Sequence, residues 1–142
     1  MKSKTLATSL LVASLTFGSS ALMAADYVVD TKDAHAFIQF RVQHLGYSWL
    51  LGRFNTFDGE FSYDEKKPSA AKILVNIEPA SVDTNHAERD KHLRGKDFLN
   101  VSEFPKAKFV STYFKETGNG KAVLKGKLMM RGVKNAVSIV FK

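Results

Sequence analysis

The sequence predicts an all-β protein built from antiparallel strands, with one short helix. Apolar and polar residues alternate along six separate stretches of the chain, and this period of two is typical of strands with one buried face. Glycine-containing sequences separate the last three stretches, at residues 117–120 and at Arg131-Gly132, where glycine supplies the positive φ of hairpin turns. The predicted strands cover residues 36–45, 54–63, 72–78, 106–115, 121–131 and 133–142.

The N-terminal residues have the pattern of a secretory signal peptide. A basic start and an apolar run at residues 6–17 precede Leu22 and Ala24, which occupy the two positions that signal peptidase reads. The apolar run is too short to span a bilayer. We expect residues 1–24 to be removed and residues 25–142 to be exported as one domain. An uncleaved membrane anchor is the alternative.

Composition excludes some kinds of chemistry. The chain has no cysteine, so thiol chemistry and cysteine-based metal sites are excluded. The net charge is +7, which favours solubility or attraction to an anionic membrane surface. An exported protein meets little nucleic acid, and we therefore expect no nucleic-acid partner.

The predicted inward faces of the strands are rich in phenylalanine but are interrupted by small residues. Ala36, Gly59, Ala107 and Gly126 fall on these faces. A barrel that encloses a ligand would leave such positions open. Alternatively, the glycines relieve strand coiling or mark bulges, and the alternation of residues does not decide between the two.

Residues 81–100 form the one segment with helical signals, and charges of both signs crowd it. Asn85 followed by Glu88 is a capping-box variant, which predicts a helix that begins near His86. Gly95 predicts its end. So polar a helix is expected to lie over the strands rather than inside them. The apolar residues expected to hold it there are Leu93, Phe98 and Leu99.

The charged segment also contains candidate metal ligands, namely His86, Asp90 and His92. The two histidines are about 240° apart around a helix, so they do not share a face. A network of charge pairs is favoured, with an ion pair between Arg89 and Asp90 that closes the fold. The alternative is an exported metal-dependent enzyme that uses these histidines together with His44.

Two motifs carry a resemblance to a known family. HLGYSWLLGRFNTFDGEF at residues 44–61 and SVDTNHAERDKHLRGKDFLN at residues 81–100 resemble the YceI family of periplasmic proteins, also known as the UPF0312 type. The resemblance extends over residues 25–142. It implies a lipocalin-like antiparallel β-barrel in the periplasm that holds a polyisoprenoid or similar long-chain lipid, for carriage, storage or stress protection. It implies neither catalysis nor a cofactor.

The resemblance and the strand alternation together give a set of candidate binding residues. His44 has the same parity as Ile38 and Phe40 and is expected to point inward; a core imidazole bonded to backbone is the alternative. A transient membrane contact and a homodimer are left open as further partners. The expected lipid-binding residues are Ile38, Phe40, Val42, His44, Trp49, Leu50, Phe57, Phe61, Phe98, Phe109 and Leu128, and those of a polar mouth are Tyr47, His86, Arg89 and His92.

The end of the chain falls inside the alternating run at residues 133–142. Members of the family continue through further strands, and eight strands close around one small ligand. We therefore expect an incomplete barrel in which the last strand is an open edge. The alternative is a short variant whose edge pairs with the first strand or with a second copy.

Overall fold

A computed structural model gives the fold and describes residues 24–32 and 35–141. The predicted signal peptide covers residues 1–24, of which residues 1–23 lie outside the described residues. The described chain is mostly antiparallel strand with one α-helix, as the alternation predicts. The elements are β1 (Ala25–Val28), β2 (Ile38–His44), β3 (Ser48–Phe54), β4 (Phe57–Tyr63), β5 (Lys72–Ile77), β6 (Val82–Asp83), α1 (Ala87–Arg94), β7 (Ala107–Gly118), β8 (Lys121–Met130) and β9 (Val133–Phe141), with 3-10 turns at Pro68–Ala70 and Pro79–Ser81.

The strands form two hydrogen-bonded sheets. The larger sheet has the order β1-β4-β5-β7-β8-β9, and the smaller sheet has the order β2-β3-β6. Within the described residues no ladder joins the two sheets, so the structure does not show closure of the expected barrel, whose wall was expected to be incomplete. Among residues 24–32 and 35–141, β9 pairs with β8 alone and β2 pairs with β3 alone, which makes each of them an edge strand there.

Three strands were missed by the sequence analysis: β1, β3 and β6. The most consequential is β3, because no strand was predicted between residues 45 and 54. Residues 48–54 instead form a hairpin with β2, in which Phe40 lies opposite Gly52 and Val42 lies opposite Leu50. β1 pairs with β4, and the two-residue β6 pairs with β3.

The predicted glycine turns are confirmed. Arg131 and Gly132 both have positive φ, at 49° and 72°, the combination that a two-residue hairpin requires to match strand twist. Gly118, Asn119 and Gly120 also have positive φ and join β7 to β8. These turns fix the register of β7, β8 and β9 and therefore decide which of their residues face inward.

Two apolar clusters form the core. The first lies between the sheets and under the helix, since Phe54 and Val82 from the smaller sheet meet Ile77 and Ala107 from the larger one. Leu93 and Leu99 pack against this cluster, as predicted. The second cluster belongs to the larger sheet, around buried Phe109, Phe114, Ala122 and Leu124. Among the described residues, no member of this second cluster belongs to β2, β3 or β6.

Candidate ligand-binding site

Two apolar cavities lie along the inner face of the larger sheet. The first, which we call the helix-side cavity, has a volume of about 730 Å³. The second, the sheet-side cavity, has a volume of about 570 Å³. Both volumes fall in the range of about 300–1,000 Å³ that small-molecule sites occupy. Ile38, Ile77 and Leu128 line both cavities, so the two are neighbours separated by shared side chains.

The lining of both cavities is almost wholly apolar. The helix-side cavity has three polar residues, Asp97, Arg131 and Asn135, and the sheet-side cavity has none. The apolar lining of the helix-side cavity is Ile38, Phe40, Phe54, Ile77, Val82, Leu93, Phe98, Leu99, Leu128, Met130 and Val133. The lining of the sheet-side cavity is Val29, Ala36, Phe37, Ile38, Phe57, Ile73, Val75, Ile77, Phe109, Leu124, Leu128, Val137 and Ile139.

Two inward glycines, Gly126 and Gly52, do not create this space by standing open. A Cβ on Gly126 would lie 2.5 Å from Phe109 Cε2 and 2.6 Å from the Val110 carbonyl oxygen, so the Phe109 ring already covers that glycine. In the same way, the Phe40 ring covers Gly52. The glycines therefore seat aromatic rings against the strands, and the cavities lie beyond those rings.

The loop after α1 covers one side of the helix-side cavity. The Phe98 ring meets the His92 ring edge-on, with centroids 4.9 Å apart. Arg131 Nη2 donates to the Lys96 carbonyl oxygen at 2.9 Å, which ties the β8–β9 turn to this loop. Phe98 is 46% exposed and Val133 is 57% exposed, so the cavity is open to solvent between them.

The helix itself is anchored by Thr84 rather than by the predicted ion pair. Arg89 Nε donates to Thr84 Oγ1 at 2.7 Å, and Arg89 Nη2 donates to the Thr84 carbonyl oxygen at 2.7 Å. Buried Asp90 accepts from Thr84 N at 2.9 Å and from Thr84 Oγ1 at 2.5 Å. Adjacent residues on a helix do not face each other, and Arg89 and Asp90 accordingly meet through Thr84. The expected direct ion pair is wrong.

The helix N-cap is His86, one residue later than the predicted cap. His86 Nδ1 accepts a hydrogen bond from the Arg89 backbone N–H at 3.2 Å. Asn85 has a φ of 61° and stands just outside the helix. The predicted end at Gly95 is confirmed, since its N–H donates to the His92 carbonyl oxygen.

A polar cluster beside the smaller sheet was not foreseen from the sequence. Asp83 accepts from the Asn85 backbone N–H at 2.9 Å, from Asn55 Nδ2 at 3.2 Å and from Arg53 Nη2 at 3.0 Å. The first of these hydrogen bonds contributes most to lowering the pKa of Asp83 to about 2. Asp83 lines a separate cavity of about 330 Å³ with Gln39 and Arg53. The side chains of Arg53 and Asn55 both donate to Asp83, which favours a role in joining β3 to β6.

The expected lipid-binding residues divide into two groups. Six of them line the cavities: Phe40 and Phe98 the helix-side cavity, Phe57 and Phe109 the sheet-side cavity, and Ile38 and Leu128 both. The residues that line neither are Val42, His44, Trp49, Leu50 and Phe61.

The residues outside the cavities lie in three places. Val42, His44 and Leu50 continue the inner face of the β2–β3 hairpin beyond Phe40. Trp49 lies on the opposite face, because it is paired with Gln43, and the Arg41 guanidinium lies 4.4 Å from its ring centroid. Trp49, which was expected among the lipid-binding residues, therefore does not face the two cavities.

Phe61 occupies the third place, at the β1 side of the larger sheet. It is 36% exposed and stacks on Tyr27 with ring centroids 4.7 Å apart. The expected mouth residues are also dispersed: Tyr47 is exposed at the apex of the β2–β3 hairpin, and His86 and His92 are exposed on α1. The structure therefore does not bring Phe61 or Tyr47 to the cavities.

Some cavity residues were not among the candidates. Ile77, Val82 and Met130 line the helix-side cavity, and Val137 lines the sheet-side cavity. The alternation of β5, β8 and β9 places Ile77, Met130 and Val137 on the inner faces and could have identified them. Val82 belongs to a two-residue strand, for which no periodicity exists.

Two features are absent from residues 24–32 and 35–141. No cluster of three or more His, Asp or Glu side chains there is arranged to hold a metal ion. In the same ranges, no helix is long and apolar enough to cross a bilayer.

The fold and the sequence together define the class of this protein. The YceI-like domain family matches residues 27–142, and the chain belongs to this family. Among curated relatives, it is 58% identical to the UPF0312 protein of Shewanella denitrificans over 96% of this chain and 71% of the relative. It is 55% identical to the UPF0312 protein of Yersinia pestis over 90% of this chain and 66% of the relative.

Solved structures with the same fold include the YCEI protein of Campylobacter jejuni. That protein is 29% identical, with a TM-score of 0.61, and the match covers 77% of this chain and 64% of that one. BcnA of Burkholderia cenocepacia shares the fold at 24% identity, with a TM-score of 0.65 over 72% of this chain and 63% of that one. The chain thus spans less than two thirds of either solved protein.

Proposed function

We propose that this protein binds a polyisoprenoid or a similar long-chain lipid along the inner face of its larger sheet, without changing the lipid chemically. The proposal rests on one observation: the two apolar cavities are neighbours, and Ile38, Ile77 and Leu128 line both of them. A chain molecule that passes these side chains occupies both cavities at once. The family to which the chain belongs, and its two motifs, favour a polyisoprenoid within this class.

The apolar lining indicates that burial of the lipid tail provides most of the affinity. Each buried methylene contributes roughly 0.8 kcal/mol, so a five-carbon isoprene unit contributes about 4 kcal/mol before the costs of binding. An exposed charge pair with a head group contributes only about 0–1 kcal/mol. The polar residues Asp97, Arg131 and Asn135 lie at the helix-side cavity, and we place the lipid head group there.

The first test is to identify what the protein carries. Purification from its native compartment, followed by organic extraction and mass spectrometry, is expected to release a long-chain lipid in stoichiometric amount. The same preparation tests the proposed export, because N-terminal sequencing of periplasmic protein is expected to start at Ala25. A lipid-free preparation that also fails to take up added isoprenoid would refute lipid binding.

The second test locates the binding surface on β8. Leu128 faces inward and lines both cavities, whereas the next residue, Met129, is 41% exposed on the outer face. Leu128→Asn removes an apolar contact and puts an amide in an apolar site, and we expect a loss of about 2–3 kcal/mol, or roughly 30- to 150-fold in affinity. Met129→Asn makes the same chemical change one residue away and is expected to leave affinity unchanged. Equal losses in both variants would place the lipid elsewhere.

A further inference from the structure

The apex of the β2–β3 hairpin presents apolar side chains directly to solvent. Leu45 is 77% exposed and Tyr47 is 93% exposed, although both belong to a turn of fixed geometry. The Tyr47 N–H donates to the His44 carbonyl oxygen at 3.0 Å, and Gln43 Nε2 donates to the Gly46 carbonyl oxygen at 3.1 Å. The turn is therefore held by its backbone and by one amide, and the apolar side chains are not needed to form it.

Apolar exposure continues from the apex along the outer face of the hairpin. Trp49 is 55% exposed and Leu51 is 69% exposed, and Arg41 lies over the indole. Contiguous apolar surface of this kind marks an interaction site on a soluble protein. Tryptophan and tyrosine beside arginine are the side chains that favour the interface between lipid head groups and acyl chains, because each combines an apolar body with a polar end.

The charge of the hairpin fits an anionic surface. Residues 37–57 contain two arginines and no aspartate or glutamate. Arg53 is paired with Asp83, whereas Arg41 has no ion pair within the described part of the chain and keeps its charge on the outer face beside Trp49. Without Lys2 and Lys4 of the expected signal peptide, the net charge of +7 becomes +5, and this charge also attracts the protein as a whole to a bilayer with anionic lipids, by roughly 1 kcal/mol for each basic residue close to the surface.

The inner face of the same hairpin leads from the apex to the cavities. Val42 and Leu50 are opposite each other just below the apex, and Phe40 and Gly52 come next. Phe40 lines the helix-side cavity and Ile38 lines both cavities. An apolar track therefore connects the exposed apex to the site where we place the lipid.

We propose that the apex of the β2–β3 hairpin docks into the interfacial region of an anionic lipid bilayer, with Leu45, Tyr47 and Trp49 inserted among the lipid head groups. In this position the ligand passes between the bilayer and the cavities along Val42, Leu50 and Phe40. The second part of this inference rests on the proposed function; the docking itself does not.

The chain provides its own probe, because Trp49 is its single tryptophan. The full chain is mixed with vesicles of phosphatidylcholine and phosphatidylglycerol in equal parts. We expect the Trp49 emission to move to shorter wavelength, and we expect quenching when the lipids carry bromine on their acyl chains. Vesicle binding without any change in Trp49 emission would overturn the proposal.

A matched pair of variants tests whether the protein binds vesicles through the tyrosine at the hairpin apex or through an exposed tyrosine elsewhere. Tyr47→Ser is expected to weaken vesicle partitioning by about tenfold, since it removes most of an inserted side chain. Tyr113→Ser is the control, because Tyr113 is exposed on the outer face of the larger sheet with the Lys125 ammonium 5.3 Å from its ring. Leu45→Asn gives a second apex variant that tolerates the positive φ at that position. Loss of binding in Tyr113→Ser but not in Tyr47→Ser would overturn the proposal in favour of docking through the lysine-bearing face.

Ligand loading distinguishes a failure of docking from a failure of the proposed function. A short isoprenoid alcohol is added in solution, without vesicles, and its binding is measured for the same proteins. Tyr47→Ser is expected to load normally from solution and slowly from vesicles. Normal loading together with unchanged Trp49 emission on vesicles would refute docking alone. Docking without any loading would refute lipid binding and leave the membrane contact standing.

Discussion

Replacement of Gly52 by alanine tests how an aromatic ring is seated beside the helix-side cavity. A Cβ on Gly52 would lie 2.7 Å from Phe40 Cε2 and 3.0 Å from Phe40 Cε1. Carbon atoms pack at about 3.5–4.0 Å, so the Phe40 ring must retreat by about 1 Å. The ring also packs on Phe54, at 5.4 Å between centroids, which restricts its retreat. We expect the ring to move towards the cavity that it lines.

The expected cost has two opposing parts. Overpacking of this kind destabilises a protein by about 1–3 kcal/mol. Alanine has less conformational freedom than glycine in the unfolded chain, and this difference stabilises the folded protein by about 0.4–1 kcal/mol. Gly52→Ala is therefore expected to lower the free energy of unfolding by about 1–2 kcal/mol and to weaken lipid binding, because the displaced ring occupies ligand volume.

A double-mutant cycle with Phe40→Leu isolates the contact. In the Phe40→Leu background the ring is absent, and Gly52→Ala is expected to be neutral or slightly stabilising. Urea denaturation of the four proteins then gives a coupling energy of about 1–3 kcal/mol between the two positions, because the unfolded-chain contribution cancels and the overpacking remains. A coupling energy below about 0.5 kcal/mol would refute the placement of the Phe40 ring over Gly52, and with it the explanation of why glycine occurs there.

Three further variants have expected outcomes. Hydrogen bonds from the Asn85 backbone N–H, Asn55 and Arg53 lower the pKa of Asp83 to about 2 from its ordinary value of 3.8. Its carboxylate therefore stabilises the fold above roughly pH 4, and this contribution is lost as the pH falls through about 2. Thermal melting across this range is expected to show a flatter pH dependence for Asp83→Asn. His92→Ala is expected to retain lipid binding, since His92 lines neither cavity, and a folded variant that binds no lipid would contradict this. Phe61→Ala is expected to lower the melting temperature through the lost Tyr27 stack with less than a twofold change in lipid affinity, and a larger change in affinity would extend the site to β1.

Sequence patterns predicted the parts of the fold that depend on neighbours along the chain. The alternation along β8 placed Leu128 inward, and the Arg131-Gly132 turn was identified from its residues because few others adopt two positive φ values in succession. β3 was missed because Trp49, Leu50 and Leu51 are consecutive apolar residues and show no period of two. The structure explains the run: this part of the hairpin is apolar on both faces.

The candidate site was harder to predict because it depends on how separate segments pack. Phe61 has inward parity, but parity does not tell that its ring is covered by Tyr27 rather than open to a ligand. The expected pair of Arg89 and Asp90 was wrong for a similar reason. Arg89 and Asp90 are adjacent in sequence, but each forms its hydrogen bonds with Thr84, which precedes the helix. No rule of helical spacing indicates a partner outside the helix.

The hydroxyl of Thr84 has a consequence for how this sequence can change over evolutionary time. It donates its one hydrogen to Asp90 and accepts from Arg89, so loss of either helix residue leaves the hydroxyl half satisfied in a buried place. Substitutions at the two helix positions are therefore not independent, although the side chains do not touch. Descendants that lose one should be selected to lose the other and to replace the threonine as well. Among homologous chains these three positions are expected to covary as a set.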